Sequence, residues 1–287
     1  MRRPLVALLV VLLSLATVAC HRGGSEDHAF EWSAPVPPGA VLHLRDGRGS
    51  ITVRRADGSN AHVIGSRRWT RGRAKDVQFV VTQSGNDYYV CAMWENSGKC
   101  GTSGYRGASG GGLLEMINLF HHRTDASAGL IAEVPPTVVI DARTTVGSVH
   151  VDGVAAGVTA RSVTGIVEAT NVSGPVALTT INGSVRLRAD SLSPSDSVRL
   201  TATNGSVHAD VPAGLEGNFD LSVSNGSVHS DLPVPRLSGA RANRHLQGQI
   251  GSLSRVFRMR SVNGMVTLVT HGAANTAPAA TPPASPR

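Results

Sequence analysis

Short alternations of apolar and polar residues, each introduced by a glycine turn, recur along the second half of the chain. Asn-Gly accepts the positive φ of a sharp turn, and the Val-x-Val or Val-x-Leu that follows alternates between a buried and an exposed face. Six copies of this turn-plus-strand unit are TTVGSVHV (144–151), SVTGIVEA (162–169), TINGSVRL (180–187), ATNGSVHA (202–209), SVSNGSVHS (222–230) and SVNGMVTL (261–268). The predicted turn residues are Gly147, Gly165, Asn182, Gly183, Asn204, Gly205, Asn225, Gly226, Asn263 and Gly264.

The spacing of the units predicts how they pack. Successive motif glycines lie 18, 18, 22, 21 and 38 residues apart. A spacing near 20 residues is typical of stacked coils that bury their apolar faces against each other, whereas a propeller blade needs about twice that length. The predicted fold class is therefore all-β, a β-solenoid or β-helix of about 20-residue coils. The doubled last interval indicates one degenerate unit around 248–252.

Upstream of the repeats, residues 30–140 form a predicted N-terminal β region, and residues 141–272 form the repeat solenoid. The segment DGRGSITV (46–53) looks like an earlier copy of the unit, so the solenoid is also compatible with a start near residue 40. The runs 77–82 and 88–93 predict a hairpin. Residues 95–128 are a long insertion, in which only LLEMINLF (113–120) has a pattern compatible with a short helix.

Both ends of the chain have the composition of segments outside a folded domain. Residues 1–19 predict a secretory signal peptide, since Arg2 and Arg3 precede an apolar run that ends in small residues. Val18-Ala19-Cys20 resembles a bacterial lipobox, which predicts acylation of Cys20 and a lipid-anchored tether over residues 20–29. Ordinary signal cleavage remains the alternative, because Thr17 stands where the lipobox usually has Leu. The Pro/Ala-rich segment 273–287 predicts a disordered tail.

The cysteine count agrees with export. The chain has three cysteines, and assigning Cys20 to lipid leaves Cys91 and Cys100. In an oxidising compartment these two can form a disulfide that closes a small loop. Two unrelated reduced thiols are the alternative.

Composition and charge exclude several classes to which the protein could belong. The 287 residues are 41% hydrophobic and only 4% aromatic, with 32 Gly, which excludes a disordered chain and a helical bundle and fits a narrow core of Val, Leu, Ile and Ala. The net charge is +7, and removal of residues 1–19 would leave +5. This modest excess, together with export, argues against a nucleic-acid partner.

Taken together, several segments resemble the bacterial putative adhesin family of exported β-strand-repeat proteins. They are FEW (30–32), GSITV (49–53), EVPP (133–136), the serial NGSV units, GQIG (248–251) and the final SVNGMVTL (261–268). The resemblance covers roughly residues 30–270 and implies an exported β-repeat domain without an assigned function. The chain departs from the family pattern at 95–128 and at 236–260.

Candidate chemistry is sparse along the repeats. His150, His208 and His229 each lie three residues after a motif glycine, which predicts one outward column, but Arg186 and Thr267 occupy the same slot. Asp210 and Asp231 share an offset of five residues, compatible with stacking or with solvated positions. Neither these residues nor the adjacent histidines at 121–122 have ligand spacing, so we predict no metal, no cofactor and no catalytic residues.

One basic cluster is compatible with a contact to an anionic surface. It comprises Arg67, Arg68, Trp69, Arg71 and Arg73. Basic residues around an aromatic ring can bind anionic lipid or lipopolysaccharide, although a solvated loop is the ordinary role of such a run.

The sequence therefore predicts a protein of the cell envelope, lipid-anchored to a membrane and facing the periplasm or the cell surface. Its predicted role is non-enzymatic, either adhesin-like binding of an envelope protein or glycan, or a structural one. Two alternatives stay open: an envelope-stress or signalling accessory protein, and a carbohydrate-active β-helix enzyme, which would need several acids and an Arg in one groove.

Overall fold

The computed structural model of the protein describes residues 25–70, 77–94, 99–102, 126–235 and 243–271. Within these ranges the regular elements are all strands. They are β1 (Ser25–Pro35), β2 (Val41–Arg48), β3 (Ile51–Arg55), β4 (Asn60–Trp69), β5 (Val77–Ser84), β6 (Asp87–Trp94), β7 (Ser127–Val134), β8 (Val139–Val146), β9 (Val149–Asp152), β10 (Val158–Thr164), β11 (Val167–Val172), β12 (Val176–Asn182), β13 (Val185–Ala189), β14 (Val198–Asn204), β15 (Val207–Pro212), β16 (Gly217–Ser230), β17 (His245–Ile250) and β18 (Val256–His271).

The strands stack into a β-solenoid, as the spacing of the units predicts. Each layer contributes one strand to each of two parallel ladders, and a glycine turn joins the two strands. The first ladder runs β6, β2, β8, β10, β12, β14, β18 and β16, and the second runs β7, β3, β9, β11, β13, β15, β18 and β16. The long strands β16 and β18 pass through the turn and belong to both ladders. The all-β solenoid fold is confirmed.

The order of the layers differs from the order of the chain at both ends of the stack. β18 lies between the β14–β15 layer and β16, although it follows β16 in sequence. At the other end, β2 and β3 lie between the β6–β7 layer and the β8–β9 layer. The stack thus begins at Val41, inside the segment 30–140 that the sequence predicts as a separate N-terminal β region.

Antiparallel strands cover both ends of the stack. β5 pairs with β6, β4 pairs with β7 and in turn with β1, and β17 pairs with β16. The expected degenerate unit around 248–252 is therefore wrong, because residues 245–250 form the antiparallel strand β17. An antiparallel strand satisfies the open hydrogen-bonding edge of the last layer, which a further parallel coil would leave exposed.

A narrow core of small aliphatic side chains fills the space between the ladders. Inward positions repeat from layer to layer as Val, Leu, Ile or Ala, for example Val158, Val176 and Val198, which are at most 2% exposed. Among the described residues, the fully buried aromatic rings are those of Phe257 and Phe219 in the last two layers, which pack with ring centroids 5.5 Å apart. This packing explains the low aromatic content, since most strands of the stack have three inward side chains and the narrow space between the ladders admits mainly small ones.

The long insertion occupies a specific place in the stack. β6 and β7 belong to one layer, and residues 95–126 connect them where other layers use a glycine turn. The predicted hairpin is confirmed, with β5 and β6 antiparallel and Ser84 opposite Asp87.

Several predicted segments fall outside the described residues. These are the signal peptide (1–19), Cys20, the stretch 113–120 and the tail 273–287. β1 begins at Ser25, within the range predicted as tether (20–29). Over the ranges that the structure describes, no helix has the length and apolar character needed to span a bilayer.

Candidate functional site

The predicted turn glycines form a column along one edge of the stack. At each position an added Cβ would lie 1.7–2.2 Å from the carbonyl oxygen of the turn glycine in the adjacent layer. The column comprises Gly147, Gly165, Gly183, Gly205, Gly264 and Gly226, and Gly49 continues it. Glycine is required here because the layers approach each other backbone to backbone.

The predicted turn asparagines form a second column beside the glycines. Nδ2 of Asn204 donates to Oδ1 of Asn182, Asn263 donates to Asn204, and Asn225 donates to Asn263, each at 2.8 Å. The four amides thus form a hydrogen-bonded ladder across four layers. Their role in the structure is to join turns, and they do not form a pocket.

Buried hydroxyl groups complete the turn edge. Thr144, Ser162, Thr180 and Ser261 each donate to the carbonyl oxygen of a turn glycine in the neighbouring layer, at 2.8–3.0 Å. Asp46 occupies the same column opposite Thr144 and is 1% exposed. Its Oδ1 accepts the N–H of Arg48 at 2.9 Å, but its Oδ2 is buried without a partner among the described residues. Burial raises the pKa of Asp46 to about 8, despite hydrogen bonds from the backbone of Arg48 and Gly47.

The basic cluster at 67–73 is only partly described. Nη2 and Nε of Arg67 bind the carboxylate of Asp27 at 2.9 and 3.0 Å, and Nη1 donates to the carbonyl of Val77 at 3.1 Å. Arg68 also has a partner, and Trp69 packs against a small core cluster around Val77. Arg71 and Arg73 lie outside the described residues. Arg67 is therefore engaged within the fold, and an anionic-surface contact by the cluster stays a prediction.

The predicted disulfide is confirmed. Cys91 of β6 is bonded to Cys100, with Cα atoms 6.0 Å apart. The bond ties the start of the insertion to the outermost layer.

The three column histidines do share one outward column, but other residues separate them. Glu168 and Arg186 lie between His150 and His208 in the register, and Thr267 lies between His208 and His229. Over the described part of the chain, no group of three or more His, Cys, Asp or Glu is placed to hold a metal ion. The histidines at 121–122 lie outside that part.

Asp210 and Asp231 do not stack in adjacent layers. Val269 of β18 is the register partner of Asp210, and the N–H of Asp231 donates to the carbonyl of Leu268. The stacking interpretation is wrong because β18 lies between the two strands. Asp210 instead lies 2.6 Å from Nδ1 of His271 and 3.7 Å from Nη1 of Arg188.

The densest polar cluster lies on the outward face of the first ladder, around Asp141. Its Oδ2 is 2.9 Å from Nδ1 of His43 and 2.5 Å from Nη2 of Arg45. Arg143 donates to both carboxylate oxygens, at 2.9 and 3.1 Å. Burial alone would raise the pKa of Asp141, but the hydrogen bond with His43 and the charges and hydrogen bonds of Arg45 and Arg143 hold that pKa well below its usual range.

These residues line a cavity of about 380 Å³, which also includes Asp46, Tyr89 and Thr144. The ring of His43 stacks on Tyr89, with centroids 4.2 Å apart. With two arginines, the ionised Asp141 and a protonated Asp46, the pocket has an excess of positive charge. It favours a polar or anionic ligand over an apolar one.

From this pocket a line of arginines continues along the same face of the stack. We call Arg143, Arg161, Arg199, Arg258 and Arg260 the arginine strip. Arg143 and Arg161 are register partners in adjacent layers, as are Arg199 and Arg258. Asp220 neutralises part of the far end, at 3.0 Å from Arg258 and 2.8 Å from Arg260. Burial would raise the pKa of Asp220, but Arg260 and Arg258 lower it overall.

The sequence contained a usable signal for the pocket. His43 and Arg45 precede Gly49 by the same offsets at which Asp141 and Arg143 precede Gly147. Aligning the early unit on Gly49 places the four side chains at matching outward positions of their own layers. The candidate histidines and aspartates predicted within the repeats all lie after the motif glycine, whereas these outward positions lie before it.

One family model matches a large part of the stack. Residues 137–269 match the Toastrack DUF4097 family. The matched stretch runs from β8 through most of β18, and the resemblance inferred from the repeats is confirmed for this part of the chain. Toastrack DUF4097 names a domain of unknown function, so the match identifies the architecture and leaves the ligand open. No curated protein matches the chain.

Three solved structures are similar to this chain at low identity. A putative cell adhesion protein from Clostridium sporogenes ATCC 15579 is 11% identical, with 84% of this chain and 99% of that chain covered and a TM-score of 0.48. A putative adhesin from Bacteroides fragilis NCTC 9343 is 11% identical over 84% and 96% of the two chains, with a TM-score of 0.25. A putative adhesin from Parabacteroides merdae ATCC 43184 is 7% identical over 84% and 95%, with a TM-score of 0.30. No residue role transfers from these proteins to this chain.

Proposed function

We propose that the protein is exported, lipid-anchored at the cell envelope, and acts by binding rather than by catalysis. The observation that carries this proposal is the arginine strip, a line of cations held in register on a stack of paired strands. Arg161 and Arg199 are exposed and make no ion pair with any residue that the structure describes. Unpaired cations in a fixed array favour recognition of an extended polar partner.

The state of the acids supports binding over hydrolysis. Glycoside hydrolysis needs a free carboxylate and a protonated partner on either side of one bond. Asp141 is bound by three cationic or imidazole groups, and Asp220 by two arginines. Oδ2 of Asp46 is buried and has no hydrogen-bond partner among the described residues.

The carbohydrate-active enzyme stays a second candidate because of one observation, the convergence of Asp141, Arg45 and Arg143 on one cavity. A reducing-end assay with polygalacturonate distinguishes the two functions. We expect no release above the buffer blank by the wild-type protein. Release that Asp141→Asn abolishes would establish an enzyme and overturn the binding proposal.

Export and anchoring are supported by the disulfide and by the lipobox-like Val18-Ala19-Cys20. A structural disulfide is typical of proteins in an oxidising compartment. The test is membrane fractionation of Cys20→Ala against wild type, both with the signal segment intact. We expect the wild type in the membrane fraction and the variant in the soluble periplasmic fraction. An unchanged membrane partition would refute acylation at Cys20.

The binding role itself is tested by capture from intact envelopes. The mature chain, immobilised through its tether, is expected to retain an envelope glycan or protein that a heat-unfolded sample does not retain. Recovery of a regulatory protein alone would favour the signalling alternative. Recovery of nothing above the unfolded control would count against any binding role.

A further inference from the structure

We propose that the arginine strip binds a linear anionic polysaccharide with a carboxylate on each sugar residue, lying along the axis of the stack. This inference rests on the proposed binding function and names the chemistry of the partner. Two rows of side chains form the surface. One row runs Asp141, Thr159, Ala177, Arg199, Arg258 and Asp220, and the other runs Arg143, Arg161, Thr179, Thr201, Arg260 and Ser222.

Charge complementarity selects an anion. Five arginines face this surface, and its two acids lie towards opposite ends of the rows. Asp141 pairs with both Arg45 and Arg143, and Asp220 pairs with both Arg258 and Arg260. Arg161 and Arg199, in the middle layers, have no acid among the described residues at ion-pair distance. A guanidinium fork matches a carboxylate through two parallel hydrogen bonds, so these two arginines are fitted to that group.

The spacing of the layers selects a linear polymer. Strands of a parallel ladder repeat about every 4.8 Å, so the arginines lie at multiples of that distance along one axis. A pyranose ring in an extended chain advances by a similar length, so carboxylates spaced along the chain can meet the layers that carry an arginine. Between the arginines, the exposed rows carry the hydroxyl groups of Thr159, Thr179 and Thr201, which can donate to and accept from sugar hydroxyl groups.

The composition of the two rows argues against other polyanions. A single-stranded nucleic acid is usually held by aromatic side chains that stack on its bases, and the rows contain none within the described layers from β8 to β16. Insertion into a lipid surface needs exposed apolar side chains. Ala177 is the one apolar residue of the rows, although Val163, Ile181 and Val262 are exposed beside them at the turn edge.

The test compares two double variants that lose the same charge. Arg161→Gln with Arg199→Gln removes the two unpaired arginines of the strip. Arg54→Gln with Arg186→Gln removes two exposed arginines from the second ladder. Binding of the mature chain is measured by calorimetry at physiological salt with polygalacturonate, neutral dextran, oligo-dT and phosphatidylglycerol vesicles. Circular dichroism and the thermal midpoint verify that both variants are folded.

The proposal expects polygalacturonate to bind the wild type and dextran not to bind. The strip variant should lose at least about tenfold in affinity, because two guanidinium–carboxylate contacts are removed together. The second-ladder variant should stay within about twofold of the wild type. Equal losses in the two variants, or tighter binding of oligo-dT or vesicles, would overturn the proposal. Failure with polygalacturonate while envelope capture persists would refute this inference and leave the proposed function standing.

Discussion

Asp46 is the acidic member of the buried hydroxyl column, and its protonation state should control how stability depends on pH. In four other layers a Ser or Thr hydroxyl donates to the carbonyl oxygen of the neighbouring turn, whereas Ala202 and Val223 occupy this position in two layers. The point where a Cβ of Gly49 would stand lies 1.4 Å from the carbonyl oxygen of Ala128 and 2.7 Å from Oδ2 of Asp46. Oδ2 has no hydrogen-bond partner among the described residues. Ionisation would therefore leave a buried charge that the backbone hydrogen bonds of Arg48 and Gly47 offset only in part.

The size and sign of the effect follow from the pKa. Burial raises the folded-state pKa of Asp46 from 3.8 to about 8. Between these values the folded chain binds a proton that the unfolded chain has lost, so stability falls as pH rises. The slope is about 1.4 kcal/mol per pH unit, or close to 3 kcal/mol between pH 5 and pH 7. The stabilisation is fully present below about pH 4, and its loss is complete above about pH 8.

The matched perturbation is Asp46→Asn, which keeps the shape and the donor of the protonated acid but does not titrate. Urea unfolding of both proteins at pH 5, 6, 7 and 8 gives the difference in unfolding free energy, in which all other titrating groups cancel. We expect the variant to gain on the wild type by about 1.4 kcal/mol per pH unit across pH 5 to 7. This corresponds to a change in the urea midpoint on the order of 1 M over that range. Parallel stability profiles would show that Asp46 has the same protonation state in the folded and unfolded chains, and the raised pKa would be refuted.

Two further predictions concern the turn edge. Gly183→Ala places a Cβ 2.1 Å from a backbone carbonyl oxygen, so the layers must separate, and we expect a loss of more than about 3 kcal/mol in urea unfolding; a loss under about 1 kcal/mol would contradict the close approach. Asn204→Ala removes two hydrogen bonds of the asparagine ladder, whereas Asn225→Ala removes one. Because both side chains are exposed, we expect about 1 kcal/mol for the first and about half for the second, and equal effects would contradict the ladder order.

Local regularities of the chain were predictable, whereas long-range contacts were not. The Asn-Gly turns and the alternating Val positions identify the strands and the stacked architecture, because each layer has the same turn and the same alternation of buried and exposed side chains. The pocket depends on a contact between Arg45 and Asp141 across 96 residues, which requires knowing that β2 and β8 are neighbours. Nothing in the sequence of the β2 or the β8 unit shows that these two units, rather than two other copies of the repeat, lie in adjacent layers.

The inverted layer order at the two ends has one physical explanation. An outermost strand leaves a row of unpaired backbone groups unless an antiparallel strand covers it. β16 has β17 as such a partner, whereas β18 has parallel partners on both sides. At the opposite end, β6 and β7 have β5 and β4 as antiparallel partners, and β2 and β3 are paired in parallel on both edges. A unit with its own cap thus takes the end of the stack, and an uncapped unit is placed inside. This rule also puts Arg258 and Arg260 of β18 next to Arg199 of β14, so the capping requirement at the end of the solenoid brings three arginines of the strip into adjacent layers.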